Sequence, residues 1–438
     1  MKRKHSDGDH EFNPETLALG LGYEAAWSEN SLKPPVFLTS TFQFSSAKEG
    51  KRFFELAYGL RPPDEGEEKG LIYSRLNNPN LQIFEERMAA WDRAEVSATF
   101  ASGMAAISTT LLGLVRPGDI VLTSAPVYGG THYLFKHVLP TYGIHVRFVR
   151  GGTDTASEMR KVAAEEGSHR VKVLFLETPA NPNIAHTDIA AVADLANELR
   201  QAHGTSVVTV VDNTFLGPVF QRPIPLGADL VLYSATKFIG GHSDLIAGVV
   251  SGSKELMARV LEMRTILGTM TTPFNGWLLL RSLETVSIRM RRQAKNALLL
   301  ARMLEKHPRV KVVLYPGLLK KDDPQYDLWK RQCTGAGSLI SFVVDGGEEA
   351  AFEILDRFEV FRLAVSLGGT ESLVEHPMSM THADVPPDVL REFGVTEGMI
   401  RMSVGIEHLS DLKRDLRYAL GSGESSPEQD VTGNLRLP

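Results

Sequence analysis

From about residue 77 to residue 272, short apolar runs rich in β-branched residues alternate with stretches of helical periodicity. The runs cover residues 119–123, 145–149, 171–177, 207–211, 230–233 and 247–250. Strands that are apolar along their whole length and separated by helices are typical of a parallel sheet covered on both faces. The sequence therefore predicts an α/β protein whose large domain spans residues 77–272.

The sequence before this region predicts an arm outside the core. Residues 1–76 are irregular and carry Pro34-Pro35, followed by a charged, proline-broken insert between Leu60 and Glu68. A packed helix does not tolerate such an insert. We therefore expect residues 1–76 to form an N-terminal arm with a surface insert.

The chain has 438 residues, which is too long for one ordinary core, so a second domain is expected. A long helical pattern that begins at Pro273 leads into it. A strand-like run at 338–344 and a helical run near 348–357 predict a smaller α+β domain over residues 273–420. Residues 421–438 are small and polar, and we expect them to be disordered.

The composition argues against several classes of protein. A net charge of −6 does not suit a general nucleic-acid binder, because phosphate backbones require a basic face. No apolar run approaches the roughly 20 residues that cross a bilayer, and the single Cys333 has no partner for a disulfide. No Cys/His cluster has the spacing of a metal site. The sequence thus predicts a cytoplasmic protein without a metal, a membrane partner or a nucleic-acid partner.

Asp212 and Lys237 are the two residues that point most directly to chemistry. Asp212 ends a run of valines, and Lys237 follows the next apolar run. In a parallel sheet both would lie at the carboxyl ends of strands, where open α/β sheets bind their ligands. A lysine amine forms a Schiff base with an aldehyde cofactor, and a carboxylate keeps the pyridine nitrogen of pyridoxal phosphate protonated. Each residue alone also fits a plainer role, Asp212 as a helix cap and Lys237 as a solvated surface charge.

Two further stretches suit the phosphate of such a cofactor. Residues 101–106 form a turn of small residues that enters a helical run, and Gly103 in this turn allows a close approach of the backbone. Ser234 and Thr236 lie two positions apart beside Lys237, so both hydroxyls can reach the same anion. Taken alone, the turn at Gly103 is equally compatible with an ordinary helix N-cap.

Tyr128 and Arg401 complete the residues that stand out. Tyr128 follows the run at 119–123, so its ring would cover a bound aromatic cofactor, with core packing as the alternative. Arg401 is a charge inside an apolar, strand-like run, which is costly unless an anion meets it. Its forked guanidinium suits the carboxylate of a substrate, and a structural ion pair is the alternative.

In this order the motifs resemble those of the cystathionine γ-synthase and methionine γ-lyase family, the transsulfuration branch of fold-type I pyridoxal-phosphate enzymes. The resemblance extends from about Pro34 to about Leu420. Its landmarks are Tyr73-Ser74-Arg75, Asn78-Pro79, Ser102-Gly103-Met104, Val127-Tyr128-Gly129, Glu177 to Pro182, Val211 to Thr214, Ser234 to Lys237, Ser366 to Gly369 and Arg401 to Gly405. It implies an aspartate aminotransferase-like fold with a mainly parallel, seven-stranded sheet covered by helices in the large domain.

The resemblance also implies a role for each matched residue. Lys237 would carry pyridoxal 5′-phosphate as a Schiff base, Asp212 would pair with the pyridine nitrogen, and Tyr128 would stack on the ring. The phosphate cup would comprise Gly103, Met104, Ser234 and Thr236, completed by Tyr73 and Arg75 from a neighbouring subunit. Asn181, Ser366 and Arg401 would orient the cofactor hydroxyl and the substrate α-carboxylate. A site shared in this way requires a dimer, and the family implies a homotetramer built as a dimer of dimers.

The resemblance narrows the reaction to chemistry at the γ-carbon of sulfur amino acids. Lys237 would move the α- and β-protons, with Tyr128 as a possible acid or base. We favour γ-elimination of L-methionine, or of a close analogue, to 2-oxobutanoate, ammonia and a thiol. The reason is that Val365 stands where cystathionine-handling relatives carry a glutamate.

Other reactions stay open, because Gly130 stands where methionine γ-lyases typically have a cysteine. The alternatives are γ-replacement on O-acetyl- or O-succinylhomoserine, as in a cystathionine γ-synthase or a homoserine sulfhydrylase, and cystathionine γ-lyase activity. A binding module without turnover leaves the intact Lys237 and Asp212 unexplained. A lysine aldolase without the cofactor leaves the phosphate-directed hydroxyls unexplained.

Overall fold

The computed structural model describes residues 6–7, 10–67 and 70–421. The predicted disordered tail after Gly421 lies outside these residues. Across the described ranges, no helix combines the length and the apolar character needed to cross a bilayer.

The N-terminal arm contains more regular structure than its sequence predicts. Its elements are β1 (Ser6–Asp7), β2 (His10–Glu11), α1 (Pro14–Leu17) and α2 (Ala47–Ala57). Helix α2 begins where the Ser46 hydroxyl accepts the N–H of Glu49 at 3.1 Å. This capping pattern predicts a helix within the arm that we expected to be irregular. Arg61 holds the charged insert against α2, because it pairs with Glu67 at 2.7 Å and with Glu55 at 3.3 Å. The insert is thus a surface loop anchored by ion pairs.

The large sheet has seven strands in the order β3-β9-β8-β7-β6-β4-β5. They are β3 (Val96–Phe100), β4 (Ile120–Ala125), β5 (His145–Arg150), β6 (Val171–Glu177), β7 (Val208–Asp212), β8 (Leu230–Ser234) and β9 (Gly248–Gly252). Strands β5, β4, β6, β7 and β8 run parallel to one another. The α/β fold with a mainly parallel, seven-stranded sheet is confirmed.

Strands β9 and β3 depart from the predicted pattern. The run at 247–250 was expected among the parallel strands, but β9 pairs antiparallel with both β8 and β3. The segment between β8 and β9 contains no crossover helix, so the chain turns back beside β8. Strand β3 was not singled out at all, because the buried polar residues Ser97 and Thr99 interrupt its apolar pattern.

Helices cover both faces of this sheet. They are α3 (Pro79–Asp92), α4 (Gly103–Leu114), α5 (Gly129–Tyr133), α6 (Thr155–Glu166), α7 (Ile189–His203), α8 (Gly217–Phe220) and α9 (Lys254–Leu267). Val173 and Phe175 of β6 share one apolar cluster with α4 and α9, whereas Leu174 and Leu176 share another with α6 and α7. Alternate residues of one strand therefore serve two cores, which explains why the strand is apolar throughout.

A second, five-stranded sheet has the order β10-β11-β14-β13-β12. Its strands are β10 (Val310–Leu314), β11 (Leu339–Val344), β12 (Arg362–Leu363), β13 (Leu373–Glu375) and β14 (Met399–Ser403). The helices of this region are α10 (Pro273–Leu283), α11 (Val286–Leu304), α12 (Tyr326–Gln332), α13 (Gly347–Arg357), α14 (Pro387–Glu392) and α15 (Leu409–Ala419). The long helix predicted from Pro273 is in fact two helices. Thr285 tightens the turn between them by donating its N–H to the Ser282 carbonyl at 3.2 Å.

Three neighbouring parallel strands end side by side. Strand β6 ends at Glu177, β7 at Asp212 and β8 at Ser234. Glu177 and Asp212 are also direct partners in the register of β6 and β7. The carboxyl edge of the sheet therefore gathers the residues from which a site can be built.

Candidate active site

Asp212 and the segment that leads to Lys237 are joined by a short hydrogen-bond chain. The carboxylate of Asp212 accepts the N–H of Thr214 at 3.0 Å and its hydroxyl at 2.6 Å. The same hydroxyl oxygen accepts the N–H of Ser234 at 2.9 Å. The ends of β7 and β8 are thus linked, and the buried Asp212 is tied to the residue three positions before Lys237.

Lys237 lies in the turn after β8, where its amine donates to the Ser366 hydroxyl at 2.8 Å. Burial, and next the positive charge of Arg401, lower the pKa of Lys237 to about 8, while Glu375 acts in the opposite direction. A lysine with such a pKa is partly neutral near physiological pH, which is the form that attacks carbonyl carbon. The structure therefore brings Lys237 and the predicted Ser366 together in a state suited to nucleophilic chemistry.

Arg289 of α11, which the sequence analysis did not single out, holds the backbone that follows Lys237. Its guanidinium donates to the carbonyl oxygens of Phe238 at 2.8 Å and Ile239 at 3.3 Å, and to that of Ser282 at 2.9 Å. Gly241 makes this possible, because a Cβ at that position would lie 1.8 Å from Nη1 of Arg289. The turn that carries Lys237 is therefore held in place by the buried guanidinium of Arg289.

We expect Gly241→Ala to lower the free energy of unfolding by about 2–4 kcal/mol, since it combines overpacking with a left-handed backbone at φ +68°. Gly204→Ala is the matched control, because Gly204 has φ +62° but no atom within 4 Å of its Cβ position. Only the backbone cost, about 1–2 kcal/mol, should remain there. Chemical denaturation of both variants checks this, and equal losses would mean that the Arg289 contact contributes nothing.

Arg401 is buried on β14 and faces Glu375 of β13 across the register of the two strands. Its Nη1 lies 2.9 Å from Glu375 Oε1 and 3.0 Å from Asn181 Oδ1, and Nη2 donates to the Ser366 carbonyl at 2.9 Å. Burial lowers the pKa of Arg401, and Glu375 opposes this effect. The structural ion pair, which was the alternative reading of this arginine, is thus present, and Nε is left without a partner in the described part of the chain.

Glu177, which belongs to a landmark motif but has no predicted role, supports two predicted site residues. Its carboxyl group accepts the N–H of Tyr128 at 2.8 Å and the N–H of Asn181 at 3.0 Å. Burial raises the pKa of Glu177, and the Asp212 carboxyl beside it adds to this effect. Burial also raises the pKa of Asp212, against the hydrogen bonds from Thr214. Two buried carboxyl groups therefore lie next to each other at the edge of the sheet.

The predicted phosphate residues meet at the start of α4. The Ser102 hydroxyl caps this helix by accepting the N–H of Ala105 at 3.0 Å. The N–H groups of Gly103 and Met104 precede the first intrahelical bond, so they can serve an anion. A Cβ at Gly103 would lie 2.8 Å from Cβ of Ser234, so only glycine leaves this approach open.

Thr236 departs from the expected arrangement, because its hydroxyl bonds to the backbone of Ala247. It donates to the Ala247 carbonyl at 3.2 Å and accepts the Ala247 N–H at 3.0 Å. Tyr128 lies at the N-cap of α5, with 43% of its surface exposed. A Cβ at Gly130 would lie 2.7 Å from the Tyr128 ring, so the glycine leaves room for the ring as it stands.

The structure does not bring Tyr73 and Arg75 to this cluster. Both side chains are exposed on the arm. Tyr73 forms a backbone bridge with Thr41, and Arg75 donates to the Thr265 carbonyl at 2.7 Å. Within one chain they therefore lie apart from the other predicted phosphate residues.

The chain is similar to one family model and to several known proteins along most of its length. Residues 15–421 match the family model described as Cys/Met metabolism PLP-dependent enzyme. An L-methionine gamma-lyase from Pseudomonas deceptionensis is 38% identical over 96% of this chain and 99% of its own length. A cystathionine gamma-lyase from Rattus norvegicus is 38% identical over 92% of this chain and 94% of its own. The crystal structure of cystathionine gamma synthase from Xanthomonas oryzae pv. oryzae, in complex with aminoacrylate and cysteine, has a TM-score of 0.83 at 32% identity, covering 93% of this chain and 98% of that one.

Proposed function

Because the chain belongs to the family of PLP-dependent enzymes of Cys/Met metabolism, we propose that it cleaves the carbon–sulfur bond of L-methionine or a close analogue by γ-elimination. The products are 2-oxobutanoate, ammonia and a thiol. The observation that carries the proposal is the half-buried Lys237, which has a lowered pKa and donates at 2.8 Å to Ser366, the residue directly after the apolar Val365. The family relation to methionine and cystathionine lyases over nearly the whole chain supports it.

The residues at the sheet edge fit pyridoxal 5′-phosphate. The approach beside Gly103 would be filled by any Cβ, and it adjoins Ser234 and the free N–H groups at the start of α4. We propose that the phosphate binds there, with Gly103, Met104 and Ser234 around it, and that Thr236 joins them by giving up its bond to the Ala247 carbonyl. When bound, the cofactor supplies an electron sink for carbanion chemistry on an amino acid.

The other cofactor contacts follow from the same geometry. We propose that Lys237 is the amine that binds the cofactor covalently, since its pKa is lowered and its turn is fixed by Arg289. Asp212, a buried carboxylate, would pair with the pyridine nitrogen, and the exposed ring of Tyr128 would stack on the cofactor. Asn181 would orient the cofactor hydroxyl.

Four residues of the chain have separate proposed roles in the reaction. Arg401 would bind the α-carboxylate of the substrate, since its Nε has no partner among the described residues. Nζ of Lys237 removes the α-proton and then assists the loss of a β-proton, and the Ser366 hydroxyl orients this amine. Tyr128 can transfer a proton at the departing sulfur.

Val365 favours methionine over cystathionine. It is 59% exposed and lies directly before Ser366, and we propose that this apolar side chain faces the distal end of the substrate. The distal amino group of cystathionine would find no carboxylate on Val365. The thioether of methionine needs no such partner. Gly130 does not supply the thiol of other methionine γ-lyases, and the close Tyr128 ring leaves no space for one without a shift.

A product panel tests the proposed reaction. Purified protein with pyridoxal phosphate is incubated with L-methionine, with L-cystathionine, and with O-acetyl- or O-succinylhomoserine plus sulfide or cysteine. We expect methanethiol and 2-oxobutanoate from methionine at the highest kcat/KM. Faster sulfide-dependent formation of homocysteine would instead identify a γ-replacement enzyme, and faster cleavage of cystathionine would identify a cystathionine lyase.

The proposal includes a shared active site and a cytoplasmic, homotetrameric enzyme. Tyr73 and Arg75 are exposed and lie apart from the phosphate residues of their own chain, which supports their contribution to a neighbouring subunit. Each dimer within a dimer of dimers would place two such arms in two such sites. The single cysteine, Cys333, is a buried free thiol, which agrees with a reducing compartment.

A further inference from the structure

We propose that Glu177 is a positioning residue of the site, whose one carboxyl group fixes the backbone of Tyr128 and of Asn181 together. The proposal rests on the proposed function, since it assigns Glu177 a task in placing cofactor and substrate. It joins two parts of the site that come from different strands, because Tyr128 follows β4 and Asn181 follows β6.

The place of Glu177 in the sheet explains why it can do this. It is the last residue of β6, which lies between β4 and β7, so its side chain stands between the continuation of β4 and the end of β7. Oε2 accepts the Tyr128 N–H at 2.8 Å, and Oε1 accepts the Asn181 N–H at 3.0 Å. Each carboxylate oxygen thus holds a different loop. Ser124 of β4 adds a third point, because its hydroxyl accepts the N–H of Glu177 at 3.2 Å.

These bonds matter because each of them holds the backbone of a residue expected at the site. The Tyr128 ring is 43% exposed, so its direction depends on the backbone that carries it. Asn181 is buried, and its side-chain oxygen accepts Nη1 of Arg401 at 3.0 Å. A shift of either backbone would therefore move the ring expected over the cofactor or the amide that orients Arg401.

The contacts are also shielded from water. Glu177 is 4% exposed and Asn181 is 3% exposed, so solvent cannot replace a lost bond. A buried N–H that loses its acceptor leaves a polar group unsatisfied. The position of the Glu177 carboxyl group therefore fixes the backbone of two loops, those of Tyr128 and Asn181.

Glu177→Gln tests the proposal without changing the size of the side chain. The amide keeps one acceptor oxygen but turns an N–H₂ group towards the other backbone N–H. We expect the dissociation constant for pyridoxal phosphate and the KM for the substrate each to rise roughly three- to tenfold. The induced circular dichroism of the bound cofactor should change, because the ring above it is reoriented.

Asp415→Asn is the matched control. Asp415 of α15 is a buried carboxylate that accepts the backbone N–H groups of Glu359, Val360 and Phe361 at 2.8, 2.9 and 2.8 Å, but it lies in the core of the second sheet. We expect this variant to lower stability while leaving the cofactor spectrum and KM unchanged. If Glu177→Gln does the same, Glu177 serves only the fold and the inference is wrong.

A second variant, Ser124→Ala, tests the same proposal if Glu177→Gln does not fold. Ser124→Ala removes the hydroxyl that anchors the Glu177 backbone, and it should shift the cofactor spectrum and KM in the same direction by a smaller factor. Unchanged values in this folded variant, with Glu177→Gln unable to fold, would overturn the proposal. Wild-type protein that binds no cofactor would instead contradict the proposed function, which separates the two failures.

Discussion

Replacing Lys237 with alanine is expected to lower kcat by at least about 10²–10⁴-fold, the range that a single acid–base group supplies. The variant loses both the amine that binds the cofactor and the base that moves the substrate protons. Pyridoxal phosphate should still bind, but loosely and without a covalent link. Steady-state kinetics with L-methionine, together with equilibrium dialysis of the cofactor, measure the two losses separately.

Lys254→Ala is a suitable control, because Lys254 is an exposed residue at the start of α9. Its turnover and cofactor binding should equal those of the wild type. Circular dichroism in the far ultraviolet should show that both variants are folded. Turnover of Lys237→Ala at the wild-type rate would remove the mechanism.

Replacing Asp212 with asparagine is expected to lower kcat by about 10²–10³-fold, as for other single groups that stabilise developing charge. The amide keeps the shape of the side chain and one acceptor for Thr214, but it cannot hold a proton on the pyridine nitrogen. The electron sink is then weaker, so the loss should appear in kcat more than in KM. Single-turnover measurements of α-proton exchange locate the loss at the proton-transfer step.

Asp229→Asn makes the same chemical change at the opposite end of the same strand pair. Asp229 precedes β8, where its carboxylate accepts the N–H of Thr209 at 2.7 Å and pairs with Arg200. This variant should lose stability and keep its turnover. An equal fall in kcat for both variants would show that Asp212 acts through the sheet and not on the cofactor.

The sequence predicts the part of the site that is encoded in short motifs. Asp212, Ser234 and Lys237 follow apolar runs, and the parallel sheet then has to place them at one edge. The same logic fails where the chain does not return in parallel, as between β8 and β9, because the crossover helix is missing. The local sequence pattern therefore predicts which residues meet at the carboxyl edge of the large sheet, but it does not predict the direction of β9.

The supporting residues could not be predicted, because their roles arise from distant contacts. Arg289 reaches the Phe238 carbonyl from a residue 51 positions away. Glu375 meets Arg401 only through the register of β13 and β14, which no single motif reveals. The one available signal for Glu177 was its place at the end of an apolar run, four positions before Asn181. Only the fold shows that it also reaches Tyr128.

The most direct test of the central claim is to find where the cofactor is bound. Wild-type protein loaded with pyridoxal phosphate is reduced with borohydride, digested and analysed by mass spectrometry. We expect a pyridoxyl group on the peptide that contains Lys237, and none on the same peptide of Lys237→Ala. A wild-type protein that takes up no pyridoxyl group, or carries it on another lysine, would show that Lys237 does not bind the cofactor.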